Sequence, residues 1–221
     1  MRVIAEIIVL SAIVGAYGYV ASRKIAAKYY TLINLAFAIL LASACAALGV
    51  SSKNLGLDAA GAQLVLALAV IVLALFMGVL LVRLRRLRLS KPDYNELFLR
   101  IPFGTALAEE LVFRGSIMGI LLQNYGKATA LLVSSLLFSL WHLLPVPSET
   151  WANQNIIKAG NPKWLSLSLP FLVTVSVTFA GGLVFGWLRL ASGALIIAWA
   201  AHTLTNITGW LAGKDAGRPA K

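Results

Sequence analysis

Long apolar stretches separated by short polar segments run through the whole chain. A helix needs about 20 apolar residues to cross the hydrocarbon of a bilayer. None of the stretches alternates with the two-residue period of a membrane barrel strand. The pattern therefore predicts an all-α, polytopic transmembrane bundle of about seven spans, or eight if one of them is a half-span or a kinked helix. The predicted spans are residues 3–21, 30–50, 62–82, 97–122, 128–144, 169–190 and 193–212.

Composition supports the same class. The chain of 221 residues is 60% hydrophobic and 12% charged, and its mean hydropathy is +0.86, which is more apolar than an average soluble domain. The formal charge of +11 does not indicate a nucleic-acid partner, because the basic residues lie in short loops between apolar runs and no soluble domain is predicted to carry such a site. The single cysteine, Cys45, can form no intramolecular disulfide and is expected to be a packing residue.

Lys and Arg residues are unevenly distributed among the loops, and cytoplasmic loops carry the excess. The poor loops have one basic residue each, namely Lys53, Lys127 and Arg189. The rich segments are loop one (Arg23, Lys24, Lys28), loop three (Arg83, Arg85, Arg86, Arg88, Lys91) and the C-terminal tail (Lys214, Arg218, Lys221). This asymmetry predicts an N-terminus outside and a cytoplasmic C-terminus.

Two segments depart from simple spans. Pro102 removes a backbone donor inside the fourth run and disfavours helix at the residue before it, so that helix is expected to start or kink there. Residues 145–166 are too polar to span and long for a loop. They are interpreted as an interfacial connector with Trp151 and Trp164 at headgroup depth, and a gating lid is the alternative.

Three charged residues lie within six positions of the fourth run: Glu109, Glu110 and Arg114. A charge at mid-bilayer costs about 2.5 to 3.5 kcal/mol even on a lenient scale, so these residues need partners or water. Glu110 and Arg114 are four residues apart and can pair on one helix face. Glu109 points about 100° away around the helix and needs another partner.

Both histidines, His142 and His202, fall inside predicted spans. Asn206 follows His202 by one turn on the same face, and Phe138 precedes His142 by one turn and is expected to pack against its imidazole. Helical rise from the predicted span ends places these groups with Glu109 in the cytoplasmic half of the bilayer. A cavity open to the cytoplasm would hydrate them.

A carboxylate and an imidazole around a hydrated cavity can activate water. A second histidine and an asparagine amide can stabilise the oxyanion, with a contribution of about 3 to 4 kcal/mol per well-placed donor. No G-x-S-x-G elbow is present, so the residues favour acyl hydrolysis by activated water. A proton-coupled transporter is an alternative, but it would need polar residues towards both faces, and the outer halves of the spans offer mainly Ser, Thr and Gly.

Three motifs in this order, E-E-x-x-x-R, F-x-x-x-H and H-x-x-x-N, resemble the CAAX protease and bacteriocin-processing (CPBP) family of intramembrane endopeptidases. The resemblance divides the chain into N-terminal helices with a basic loop (1–96), a catalytic core (97–212) and a tail (213–221). It implies that Glu109 acts on water as the base together with His142. It also implies that His202 and Asn206 stabilise the oxyanion, while Glu110, Arg114 and Phe138 support the site.

The resemblance leaves a metal open, because family members have been described both as metalloproteases and as metal-independent glutamate proteases. Glu109, His142 and His202 could together hold Zn²⁺. Metal binding would compete with their roles towards water and oxyanion, and the H-E-x-x-H signature is missing. We therefore favour an enzyme without a metal cofactor.

The substrate is expected to be a peptide or protein at the bilayer, with or without a lipid. Eukaryotic relatives cut the last three residues from prenylated CAAX sequences, and prokaryotic ones are associated with peptide maturation or bacteriocin immunity. The short chain resembles the prokaryotic members, which implies a prokaryotic plasma membrane. Its own C-terminus, "GRPAK", is no CAAX motif. A catalytically silent scaffold or immunity protein is the remaining alternative.

Overall fold

The structure is a computed structural model that describes residues 2–24, 27–58, 76, 80, 90–143 and 163–216. Within these ranges the ordered elements are helical, which confirms the all-α prediction for this part of the chain. A 3₁₀ turn, Ala27–Tyr29, precedes the second helix. The helices are α1 (Arg2–Lys24), α2 (Tyr30–Ala47), α3 (Ser52–Leu55), α4 (residues 91–124), α5 (Lys127–Trp141), α6 (Lys163–Ser192) and α7 (Leu195–Ala216).

Apolar helices of membrane-spanning length are present. Tyr30–Ala47 and Phe171–Ser192 are both long and apolar enough to cross a bilayer, and Ile8–Ala21 and Lys127–Trp141 are shorter apolar helices. These features fit a helical membrane protein. The predicted third span lies outside the described residues apart from Phe76 and Leu80, so the span count stays a prediction, as does the orientation.

The predicted connector, residues 145–166, is described only at its end. Residues 145–162, including Trp151, lie outside the described residues. The last four residues, with Trp164, were wrongly placed in the connector, because α6 begins at Lys163. The tail prediction is shortened in the same way, since α7 continues to Ala216.

Helix α4 runs through Pro102 and begins well before it. Its first residue is Lys91, and the preceding Ser90 donates from its amide to the Asp93 carboxylate at 2.9 Å, which closes a capping box. Of the two alternatives predicted for Pro102, a helix start is therefore wrong. The helix passes the proline in a π-helical segment, Glu96–Leu107, and π turns typically mark interruptions of the regular hydrogen-bond ladder.

A second π-helical segment, Leu111–Ile117, follows after the short α-helical stretch Ala108–Glu110. The charged motif of the fourth run therefore lies at the junction of two π segments. Isolated π turns in α-helices occur frequently at functional sites. Here the widened turns also leave backbone carbonyls available to other helices, because Trp199 Nε1 of α7 donates to the carbonyl of Pro102 at 2.6 Å.

Helix α4 is also central to the hydrophobic core. One cluster joins it to α1, α2 and α5, and a second joins it to α7 and to Leu80. The first contains Val14, Ala38, Leu41, Val112, Phe113, Ile117, Met118 and Phe138; the second contains Leu80, Leu97, Ile101, Ile207 and Leu211. These contacts fix the face of α4 that carries the charged residues.

Small residues allow α5 and α6 to approach closely. A Cβ added at Gly182 would lie 3.0 Å from Ser135 Cβ, and one at Gly186 would lie 2.6 Å from Leu131 Cδ1. Gly182 and Gly186 thus form a small-x-x-x-small face of the kind that brings membrane helices together. The close approach places the Gly182 carbonyl beside α4.

Arg189 is buried, and its assignment to a loop was wrong. Its Nη2 donates to the carbonyls of Lys53 at 2.8 Å and Asn54 at 2.9 Å, at the C-terminal end of α3. The guanidinium lies so close to Gly56, which has φ +78°, that a Cβ there would be 2.2 Å from Arg189 Nε. Arg189 therefore connects α6 to the C-terminal end of α3. It does not belong among the loop residues that were counted to predict the membrane orientation.

Candidate active site

A fully buried ion pair forms the base of the site. Glu110 and Arg114 are both 0% exposed, and Arg114 Nη1 donates to Glu110 Oε1 at 3.0 Å. The Arg114 guanidinium also donates to the Gly182 carbonyl at 3.3 Å and lies 4.0 Å from the centre of the Phe138 ring. The pair expected from the four-residue spacing is present, and α5 and α6 add further contacts to it. Such supporting contacts lower the cost of burying two charges. Glu110 Oε2 and Arg114 Nε are buried without a hydrogen-bond partner among the described residues.

Glu109 points to the other side and faces two imidazoles. Its Oε2 lies 3.7 Å from His142 Nε2 and 3.7 Å from His202 Nε2. Within the described part of the chain this oxygen is buried and accepts no hydrogen bond. The structure thus supplies the partners that the sequence left open for Glu109: one histidine from α7 and one from the end of α5.

His142 lies at the C-terminal end of α5. Helix α5 ends at Trp141, and His142 is its C-cap, with its amide donating to the Ser139 carbonyl at 3.2 Å. Its Nδ1 lies 2.8 Å from the Phe138 carbonyl, and the two rings meet edge to face at 4.4 Å. A carbonyl can only accept, so Nδ1 carries the proton and Nε2 is the atom that faces Glu109.

His202 is buried between aromatic rings. Its Nδ1 lies 2.8 Å from Glu110 Oε1, its ring stacks on Phe185 at 4.7 Å, and Phe138 meets it edge to face at 5.7 Å. Glu110 Oε1 therefore accepts from both Arg114 and His202. The contact with Glu110 orients the His202 ring so that its Nε2 faces Glu109. Glu110 and His202 are 92 positions apart in the sequence.

Asn206 lies one turn after His202 on α7 and is partly buried. Among the described residues it forms no hydrogen bond with Glu109, His142 or His202, so the structure leaves it beside this group without joining it.

Exposure rises across the site from the ion pair outward. The exposed fraction of the side chain is 0% for Glu110, 4% for His202, 12% for Glu109 and 25% for His142. The site therefore opens on the side of Glu109 and His142. Helix α5 has 15 residues and is about 22 Å long, shorter than the hydrocarbon thickness of about 30 Å. If α5 starts at one membrane surface, His142 lies below the other, where a cavity is needed for water to reach it.

Sequence reasoning missed a polar group on α2. Tyr30 and Asn34 are four residues apart and both face α4, where Asn34 Nδ2 donates to the Gly104 carbonyl at 3.1 Å. The Tyr30 hydroxyl lies 3.5 Å from Thr105 Oγ1. The spacing of two polar residues on one face of an apolar run was the available signal.

Glu109, His142 and His202 supply nitrogen and oxygen donors of the kind that Zn²⁺ binds. Across the described residues, however, no group of three or more His, Cys, Asp or Glu side chains is arranged to hold a metal ion. No step of the reaction proposed below passes through a metal.

A comparison with known protein families gives a match over residues 94–208, to the family described as Type II CAAX prenyl endopeptidase Rce1-like. The match contains all three motifs and every residue of the site described above except those of α2. Curated proteins and solved structures give no further match. Since the matched region covers more than half of the chain, the protein belongs to the Type II CAAX prenyl endopeptidase Rce1-like family.

Proposed function

We propose that this protein is an intramembrane endopeptidase in which Glu109 activates a water molecule for attack on a peptide bond. One observation carries the proposal. Glu109 Oε2 is buried, accepts no hydrogen bond within the described residues, and faces the Nε2 atoms of His142 and His202 at 3.7 Å each. An unsatisfied buried carboxylate oxygen is costly, and a water that donates to it removes that cost and is held in place for reaction.

Proton positions give each group a role. With Nδ1–H donated to the Phe138 carbonyl, a neutral His142 has its lone pair on Nε2. A water between Glu109 and His142 then has an acceptor for each proton, and its oxygen lone pair remains free for the substrate carbonyl. Glu109 takes a proton as the water attacks and returns it to the leaving amine, while His142 keeps the water oriented.

The opposite side of the site would stabilise the oxyanion. His202 donates through Nδ1 to Glu110, so its Nε2 donates only when the ring is protonated. A protonated His202 with Arg114 balances the charges of Glu109 and Glu110, which gives a buried cluster with no net charge. The Asn206 amide is the second donor, and each well-placed donor contributes about 3 to 4 kcal/mol to the transition state.

The substrate is proposed to be a peptide or protein segment that enters from the bilayer or the cytoplasmic surface. The exposed edge at Glu109 and His142 supports entry on that side of the site. The family name refers to prenylated CAAX substrates, so a lipidated C-terminus is one substrate to be tried, and an unlipidated peptide is the other.

The test is cleavage of a quenched-fluorescent peptide pool, with and without lipidated C-termini, by the purified protein in lipid nanodiscs. We expect cleavage by the wild type, loss of cleavage with Glu109→Ala and with His142→Ala, and no effect of a strong chelator. Wild-type cleavage rates in the Glu109→Ala protein would refute the proposal. Cleavage abolished by chelator and restored by Zn²⁺ would show a metal enzyme and refute the metal-free reaction.

A further inference from the structure

A chain of hydrogen bonds connects the first two helices to the π-helical part of α4. The Tyr17 hydroxyl donates to Asn34 Oδ1, and Asn34 Nδ2 donates to the Gly104 carbonyl at 3.1 Å. The helices can approach this closely because Gly104 has no side chain, since a Cβ there would lie 2.8 Å from Thr31 Cα. Asn34 is buried, so this connection is rigid.

Tyr30, one turn before Asn34, extends the chain towards the catalytic carboxylate. Its hydroxyl lies 3.5 Å from Thr105 Oγ1, and Thr105 precedes Glu109 by four residues on α4. The Arg100 guanidinium lies over the Tyr30 ring at 4.4 Å. The ring is therefore fixed from one side while its hydroxyl points along the α4 face that carries Glu109.

The contacts of Tyr17 continue towards His142, the other side chain proposed to act on water. The Tyr17 ring stacks on Phe37 at 3.7 Å and lies 6.3 Å from the Trp141 ring, and Trp141 directly precedes His142. Tyr17, Tyr30 and Asn34, here called the α1–α2 wall, thus lie against α4, which carries Glu109, and against Trp141, which precedes His142. All three precede the residues matched by the family, 94–208.

We propose that the α1–α2 wall is part of the substrate site and that the Tyr30 hydroxyl hydrogen bonds to a main-chain group of the substrate next to the scissile bond. This inference rests on the proposed endopeptidase function. A phenol can donate to a peptide carbonyl or accept from a peptide amide, and its contact with Thr105 is at the long limit for a hydrogen bond. Tyr30 can therefore exchange that contact for a substrate peptide group, while Asn34 and Tyr17 hold α2 in place.

The test compares Tyr30→Phe with Tyr29→Phe. Tyr29 is the adjacent tyrosine, is 49% exposed and carries Lys28 over its ring, away from the site. On the best-cleaved member of the peptide pool, we expect Tyr30→Phe to raise KM about five- to tenfold, the range of one hydrogen bond. We expect kcat to stay within about twofold and the melting temperature to be unchanged, since packing is retained. Tyr29→Phe should match the wild type in all three quantities.

Two results would overturn the inference: a KM for Tyr30→Phe equal to that of the wild type, or a fall in kcat alone, which would place Tyr30 behind Glu109 as a positioning residue. If Glu109→Ala still cleaves, the proposed mechanism fails, but the KM comparison still decides the role of Tyr30.

If nothing is cleaved, the fluorescein-labelled pool is titrated against the Glu109→Gln protein with and without Tyr30→Phe. If Tyr30→Phe weakens binding of the pool about five- to tenfold, the inference is supported. If the two proteins bind the pool equally, or neither binds it, the inference is overturned.

Discussion

Replacing Gly182 by alanine should separate two helices of the site by adding one methyl group. The new Cβ would lie 3.0 Å from Ser135 Cβ and 3.1 Å from Ser135 Cα. Ser135 belongs to the neighbouring helix and one of these atoms is backbone, so rotation of a side chain cannot relieve the contact. Adding a methyl group to a well-packed interface costs about 1 to 3 kcal/mol. The shift also moves the Gly182 carbonyl away from Arg114 Nη2, to which it lies at 3.3 Å.

Gly181 is the matched control. It precedes Gly182 in the same helix, and a Cβ there would meet its nearest neighbour, Phe185 Cε2, at 3.7 Å, which is ordinary van der Waals contact. Alanine at either position gains the same helix propensity, about 1 kcal/mol relative to glycine. The difference between the two variants therefore isolates the contact between α5 and α6.

The single cysteine provides the assay. Cys45 is buried, so a fluorogenic maleimide reacts with it only as the protein unfolds on heating. For a protein of this size each kcal/mol shifts the melting temperature by about 2 to 4 °C. Because both variants gain the same helix propensity, Gly182→Ala should melt about 2 to 12 °C below Gly181→Ala. If Gly182→Ala and Gly181→Ala have the same melting temperature, the close packing of α5 on α6 is refuted.

Two further predictions concern the base of the site and the oxyanion donor. Glu110→Gln should lower the melting temperature in the same thiol assay, because it leaves the buried Arg114 without its ionic partner, at a cost of about 3 to 5 kcal/mol; an unchanged melting temperature would contradict the pairing. Asn206→Ala should lower kcat by about 100- to 1,000-fold, as loss of an oxyanion donor does, with no change in melting temperature, because Asn206 forms no hydrogen bond within the described residues. Thr205→Val is its control, since Thr205 is exposed and bonds only to the Ala201 carbonyl. A kcat for Asn206→Ala equal to that of Thr205→Val would remove Asn206 from the site.

Local patterns predicted local structure well. The apolar runs that the structure describes correspond to helices, and the four-residue spacing of Glu110 and Arg114 predicted their ion pair, because both features depend on residues close in sequence. The early start of α4 could also have been found, since Ser90 and Asp93 have the spacing of a capping box. The prediction rested on Pro102 alone, and the π turns that absorb the proline have no sequence signature of this kind.

Contacts between distant residues were not predictable from one sequence. Nothing in the spacing indicates that His202 donates to Glu110, because this contact depends on how α7 packs against α4. The burial of Arg189 likewise depends on the packing of α6 against α3, because the Lys53 and Asn54 carbonyls accept hydrogen bonds from its guanidinium. The C-cap position of His142 follows from the length of α5, and helix ends are the least certain part of a prediction from pattern.

The central claim is that the Glu109 carboxylate activates water, and the most direct test is the single-turnover rate of Glu109→Gln on the best-cleaved peptide. Glu96→Gln is the control, because Glu96 lies earlier on the same helix and pairs with Arg100 at the surface. Glutamine keeps the size of the side chain and removes its basicity. We predict a rate at least about 1,000-fold below the wild type for Glu109→Gln, as for loss of an essential catalytic group, and an unchanged rate for Glu96→Gln. Equal rates for the two variants would contradict the account.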